Sequence, residues 1–173
     1  MKVKSSNFLF NLLDASSRLS VNQINRWRRM RIRDLEETDY EKGVLDLLAQ
    51  LTEVKEISKE QFNGFVASLQ SSNGFHRVVV MEDVEKLRII GSATLLIERK
   101  LVHGLGLVGH IEDVVVDKRY RGQKLGLRLI ERLKATGKDQ GCYKIILDCA
   151  RDKIPFYQKA GFQEKQVQMA WYL

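Results

Sequence analysis

Residues 109–130, GHIEDVVVDKRYRGQKLGLRLI, constrain this chain more than any other stretch. An apolar run with two acids at its start leads into a basic loop that holds Gly122. A helical pattern follows, with Gly126 near its start. A strand feeding a glycine-bearing loop at a helix N-terminus is a site for a phosphate-containing ligand. The loop amides point at the anion, and the helix dipole favours negative charge there. Gly122 lets the backbone approach a phosphate, and Gly126 is expected to leave clearance above the ligand. The same residues also fit a plain strand-to-helix turn flushed with basic side chains. The loop is neither G-x-G-x-x-G nor a Walker loop, so dinucleotide or nucleoside triphosphate binding is not indicated.

The flanking pattern supplies a scaffold for that unit. Residues 1–25 are weakly patterned and read as an extension that packs on the domain or on a partner. Residues 26–173 read as one domain. Residues 27–33 form a strand with Arg29, Arg31 and Arg33 on one face and Met30 and Ile32 on the other. Asp39 caps a helix from Tyr40 to about Gln50 whose stripe is Val44, Leu47, Leu48 and Leu51. Ser58 and Gln61 fit a capping box, opening a helix that turns Phe62, Phe65, Val66 and Leu69 to the core. Residues 75–81 and 88–97 make a hairpin. After the strand at 110–116, Leu125, Leu129, Ile130 and Leu133 mark a helix from Lys124 to about Gln140. Residues 143–149 read as a buried strand. Residues 152–160 form a short helix with Pro155 in its first turn, and 162–172 a last strand. The order β-α-α-β-β-β-α-β-α-β predicts an α/β fold: a mixed sheet with helices on both faces.

A net charge of +7 on 173 residues suits anionic partners. Two cysteines, Cys142 and Cys149, lie near or inside an apolar run and are expected to be buried thiols in a reducing compartment. The chain has no run of about 18 apolar residues, so no membrane span is expected. The apolar stretch at 8–13 is too short for a secretory signal, and the expected location is the cytoplasm. His76, His103 and His110 lack metal-ligand spacing, so no metal is expected. Arg26, Arg28, Arg29, Arg31 and Arg33 could serve a nucleic-acid-binding module. A solvated edge explains the same arginines, and no nucleic-acid partner is expected.

Arg121, Gly122 and Gly126 after an apolar strand resemble the acyl-CoA signature R-x-x-G-x-G/A of the GNAT acetyltransferase superfamily, and the element order is similar over residues 27–172. Lys124 stands where that superfamily usually has its middle glycine. Five further blocks resemble the eukaryotic glucosamine 6-phosphate N-acetyltransferases: LTEV at 51–54, IERKLVH at 97–103, GHIEDVVV at 109–116, GCYKIILDC at 141–149 and FYQKAGF at 156–162. The resemblance implies the GNAT fold and transfer of acetyl from acetyl-CoA to the 2-amino group of glucosamine 6-phosphate, a step toward UDP-N-acetylglucosamine. It also implies a homodimer in which each sugar site is completed by the partner chain. A GNAT enzyme acting on another amine, protein or small molecule, is the alternative.

The resemblance also implies roles for individual residues. Glu112, Asp113 and Val114 lie against the sugar. Val114, Val115 and Val116 meet the pantetheine arm, and an amide there could hold the oxyanion. Arg121, Gly122, Gln123, Lys124, Leu125 and Gly126 meet the cofactor's pyrophosphate. Glu112 and Asp113, adjacent on a strand, point to opposite faces and cannot form a dyad without a bulge. Asp148 reads as a buried acid, which is costly unless partnered, and the family places such an acid beside the amine as base. Tyr157 matches a tyrosine that protonates the leaving thiolate, though an aromatic beside Phe156 is ordinarily core. Thr52, Lys100, Leu101, Val102, His103, Tyr143 and Lys144 match sugar-contacting stretches. Two departures stand out: Tyr172 where the family has a phosphate-binding Arg, and Lys153 where an Asn often stands near CoA.

Overall fold

The computed structural model describes Trp27 and residues 29–172. The reading of residues 1–25, and the arginines at 26 and 28, lie outside the described residues. Among these, five strands form one sheet in sequence order: β1 Met30–Asp34, β2 His76–Asp83, β3 Arg88–Arg99, β4 Leu107–Val116 and β5 Cys142–Leu147. Neighbours are antiparallel except β4 and β5, which run parallel and are joined through a long helix. That helix, α4 Leu125–Asp139, follows α1 Val44–Leu48, α2 Lys59–Ser71 and α3 Val102–Leu105, and precedes α5 Ile154–Gln158.

Strand alternation builds two cores, as the mixed-sheet reading requires. Val79, Met81, Ile90, Leu95 and Ile111 face Leu125, Leu129, Ile130 and Leu133 of α4. Val80, Ile89 and Val115 face Val44 and Leu47 of α1 and Phe62 and Val66 of α2. Ile111 and Val115 are four residues apart and should share a face, yet they enter opposite cores. The register supplies the reason: Thr94 pairs with Glu112 and Ser92 with Val115, so β4 carries an extra residue opposite β3. Asp113 takes φ 51° at this point. It is the bulge without which Glu112 and Asp113 could not cooperate, and it re-aims everything after it.

The capping box forms: Gln61 N–H donates to the Ser58 hydroxyl, and Ser58 N–H to the Gln61 side chain. Several expectations are corrected. No helix starts at Tyr40. Asp39 ends a short 3-10 turn, Glu37–Asp39, and is buried against Arg33 with bonds of 2.6 Å. Arg33 also reaches Glu82, so it is an interior charge held by two acids, and the three arginines do not form an open basic face. Arg29 pairs with Glu85. Phe65 and Leu51 remain exposed, because α2 and α1 each bury only one narrow stripe.

The strand over β5 is half covered, since it is a sheet edge with Tyr143 and Ile146 facing outward. Cys149 lies beyond it and is exposed, and Cys142 is half-buried. The helix expected over 152–160 divides into a 3-10 turn, Arg151–Lys153, and α5, with Pro155 in the first turn as required. Residues 162–172 form no strand. Val167, Met169, Trp171 and Tyr172 stand exposed, and among the described residues no strand pairs with this segment.

Candidate active site

The site is organised by the parting of β4 and β5. Their pairing ends at Ile111 with Leu147, so Glu112 and Asp148 are the next residues along the two strands. Beyond this point β4 continues only with β3, to Val116. The β4 edge from Glu112 onward therefore faces an opening and not a strand. Val114 and Val116 pack toward the α4 core, while Val115 is buried in the other.

Three acids converge at this fork. Burial pushes the Glu112 carboxyl above its usual range; the charges of Asp148 and then Asp113 push the same way, and His110 opposes them. Asp148 is exposed, contrary to the buried acid expected from the apolar run before it: β5 has ended at Leu147, and among the described residues no strand lies beyond this edge. Tyr157 on α5 is half-buried, with its ring edge-on to Phe156 at 4.9 Å and to Phe162 at 6.2 Å. Burial raises its phenol, and Cys149 and Glu112 add to the shift. The strand acid and the helix phenol thus share one field, 45 positions apart in sequence.

The basic loop runs onto the start of α4. Asp117, fully buried, caps the turn Lys118–Tyr120 by accepting from Arg119 N–H at 2.9 Å. The Arg119 guanidinium grips the same carboxylate at 2.7 and 3.0 Å and, as the largest cause, holds it well below the usual range. Arg121 bonds back to the Val116 carbonyl at 3.0 Å. Gly122 has φ 79° and open space where a side chain would begin. Lys124 adopts φ 60°, ψ 17°. This is a left-handed conformation that glycine takes freely and a lysine does not. No side chain caps α4, which leaves its first-turn amides available to an anion. Gly126 does not provide clearance for a ligand: a Cβ there would meet the Phe156 ring at 2.9 Å. It is the seat of α5, and so of Tyr157.

A second group lies on the same sheet as the acids. Lys100 Nζ pairs with Glu98 at 2.6 Å, and His110 Nε2 approaches the same carboxylate at 3.1 Å. Glu98 is held below its usual range first by Lys100. His103 stacks on Tyr143 with ring centres 4.6 Å apart, and Lys144 lies 5.7 Å over the Tyr143 ring. Within α3, His103 and Gly104 take left-handed conformations, and Leu105 has φ 63°. Leu101, Val102 and Leu105 are exposed.

Lys153 is exposed and paired with its neighbour Asp152. Thr52 is exposed just past α1, where its N–H bonds Leu48 at 3.3 Å. Gln123 contributes a buried side-chain oxygen without a partner among the described residues.

His110 and Glu98 were missed by a reading that asked only whether the histidines could bind metal. The signal was present: His110 and Glu112 are two apart on a strand and share a face. Among the described residues no group of three or more His, Cys, Asp or Glu side chains could hold a metal ion, and no helix is long and apolar enough to cross a membrane.

Comparisons with known proteins bear on this geometry. Residues 30–162 match the Acetyltransferase (GNAT) family. Glucosamine 6-phosphate N-acetyltransferase 1 of Dictyostelium discoideum is 44% identical over 141 residues, which is 82% of this chain and 89% of that protein. A probable glucosamine 6-phosphate N-acetyltransferase 2 of Oryza sativa subsp. japonica is 45% identical over 145 residues, or 83% and 87% of the two chains. The crystal structure of glucosamine-6-phosphate N-acetyltransferase from Arabidopsis thaliana superposes with TM-score 0.81 at 39% identity, covering 83% of this chain and 97% of that one. The chain belongs to the GNAT acetyltransferases and, within them, to the glucosamine 6-phosphate N-acetyltransferase family.

Proposed function

We propose that this chain transfers acetyl from acetyl-CoA to the 2-amino group of D-glucosamine 6-phosphate by direct attack in a ternary complex. The observation that carries the reading is the acid pair Glu112 and Asp148 at the fork of β4 and β5, within the field of Tyr157. Arg121, Gly122, Gln123, Lys124, Leu125 and Gly126, with the free amides of α4, receive the pyrophosphate of the donor. The β4 edge at Val114, Val115 and Val116 receives its pantetheine arm, and Lys153 lies toward the cofactor.

Each side chain then has one task. Asp148 holds the ammonium group and takes its proton, because a protonated amine has no lone pair for attack. The nitrogen bonds to the thioester carbon, and a β4 amide holds the oxyanion that results. Glu112 and Asp113 orient the sugar. When the carbon–sulfur bond breaks, Tyr157 gives its proton to the leaving thiolate, and the second proton of the attacking nitrogen passes to the phenolate so formed, leaving the neutral amide, the thiol and a restored phenol. The products are N-acetylglucosamine 6-phosphate and CoA, the amide step on the way to UDP-N-acetylglucosamine, and we assign it to the cytoplasm.

The second substrate site draws on Thr52, Lys100, Leu101, Val102, His103, Tyr143 and Lys144. A homodimer accounts for the apolar groups left exposed on α3, the β5 edge and residues 162–172. The last segment would gain its strand pairing from the partner chain. Light scattering should report a dimer, and deletion of 163–173 should give monomers.

A second reading, acetylation of another amine, draws support from Tyr172 and from Lys100, whose charge is already answered by Glu98. Thiol release from acetyl-CoA should be followed with glucosamine 6-phosphate, glucosamine, polyamines and peptides. Turnover confined to the sugar phosphate is expected. Robust turnover of another amine with none of the sugar phosphate would overturn the assignment.

A further inference from the structure

The turn that precedes the donor loop is fastened to three separate elements. Tyr120, buried at its end, donates its hydroxyl hydrogen to Asp83 Oδ2 at 2.8 Å and accepts from Lys86 Nζ at 2.8 Å. Asp83 is itself buried at the end of β2. Asp117 N–H bonds the Ile90 carbonyl of β3 at 2.9 Å. Lys118 N–H bonds Gln50 Oε1, just past α1, at 2.9 Å. None of these groups faces a reacting atom in the mechanism above. All of them fix where residues 121–125 begin, and those residues hold two left-handed φ values, 79° at Gly122, where glycine adopts it freely, and 60° at Lys124, where it is strained. A left-handed lysine persists only where its surroundings over-determine it.

We infer that Tyr120 is a positioning residue for the acyl donor: its bond to Asp83 latches the 117–120 turn to the β2–β3 hairpin and presets the loop amides for the pyrophosphate. This rests on the donor site proposed above. A preformed loop spares the binding step its ordering cost, so loosening the latch weakens CoA and leaves the acceptor side untouched.

Calorimetry with CoA alone, together with steady-state kinetics, tests the latch. In Tyr120→Phe, the Kd for CoA and the KM for acetyl-CoA should each rise about tenfold, as for loss of a buried bond to a charged group. The kcat and the KM for the sugar phosphate should stay within about twofold. Amide exchange should accelerate over 117–125 and stay unchanged in β4 and β5. Asp83→Asn keeps an acceptor oxygen and should fall between wild type and Tyr120→Phe. Gln50→Ala, on the surface, should raise the Kd about threefold and keeps the test open should Tyr120→Phe fail to fold. An unchanged CoA Kd in these variants, or equal rises in both KM values, would overturn the latch. A wild type that binds no CoA would overturn the donor site and the latch with it. Binding of CoA without sugar acetylation would overturn only the acceptor assignment.

Discussion

The Phe156 ring stands 2.9 Å from the position a Cβ on Gly126 would occupy, so α5 docks on the bare backbone of α4. This one approach links the two halves of the site. Gly126 belongs to the helix whose N-terminus we assign to the donor, and Phe156 precedes Tyr157. Gly126→Ala would gain about 0.5–1 kcal/mol of helix propensity. It would lose more, about 1–3 kcal/mol, by overpacking the ring. Thermal denaturation should show a net loss, and kcat should fall because Tyr157 moves with Phe156. A more stable variant with wild-type kcat would refute this docking.

Lys124 carries the opposite imbalance. Its left-handed φ of 60° costs a residue with a Cβ about 1–2 kcal/mol, which glycine does not pay. Lys124→Gly should therefore raise the melting temperature, an uncommon outcome for a glycine introduced at a helix start. It also removes a cation from the anion site, so the Kd for CoA should depend less steeply on salt. A lower melting temperature would mean that the lysine side chain supplies contacts that outweigh the strain.

These two positions show what sequence could and could not carry. The apolar periods of β2, β3 and α4 were legible because burial follows period 2 or 3.6. The capping box at Ser58 was legible because it is a local bond. The bulge at Asp113 was not: φ 51° is set by pairing with Ser92 and Thr94 of β3, far back in the chain, and no glycine marks it. Asp148 looked buried because three apolar residues precede it, but β5 is an edge, and edge position depends on the strand order. Asp39 looked like a cap because acids favour helix starts; Arg33 drew it into the interior instead. Residues 162–172 alternate like a strand, yet a strand requires a neighbour, and among the described residues no strand pairs with them.

Lys100 offers a test of acceptor recognition. Its ammonium lies 2.6 Å from Glu98, so part of its charge is spent before any phosphate arrives. Glu98→Gln would free it while keeping a group that can bond His110. The KM for glucosamine 6-phosphate should fall about threefold, in line with a half-exposed ion pair. The KM for unphosphorylated glucosamine should not move. Equal changes for both sugars would place Lys100 away from the phosphate, leaving Lys144 as the better candidate.

The acid pair sets the pH dependence. Burial, then Asp148, raises the Glu112 carboxyl above its usual range, so the folded state holds that proton more tightly than the unfolded chain. A raised acid costs stability as pH climbs through the interval between its unfolded and folded values. Glu112→Gln should therefore be more stable than wild type at pH 7, and the advantage should vanish below the ordinary carboxylate range. Activity should run the other way, because the site needs its acids ionised. Asp148→Asn removes one of the charges that raise Glu112, so the acidic limb of any residual pH–rate profile should shift to lower pH. With the base gone, kcat should also fall by about 10²–10⁴-fold. A wild-type kcat in Asp148→Asn would remove Asp148 from proton transfer. An unshifted acidic limb would mean that the limb reports a group other than Glu112.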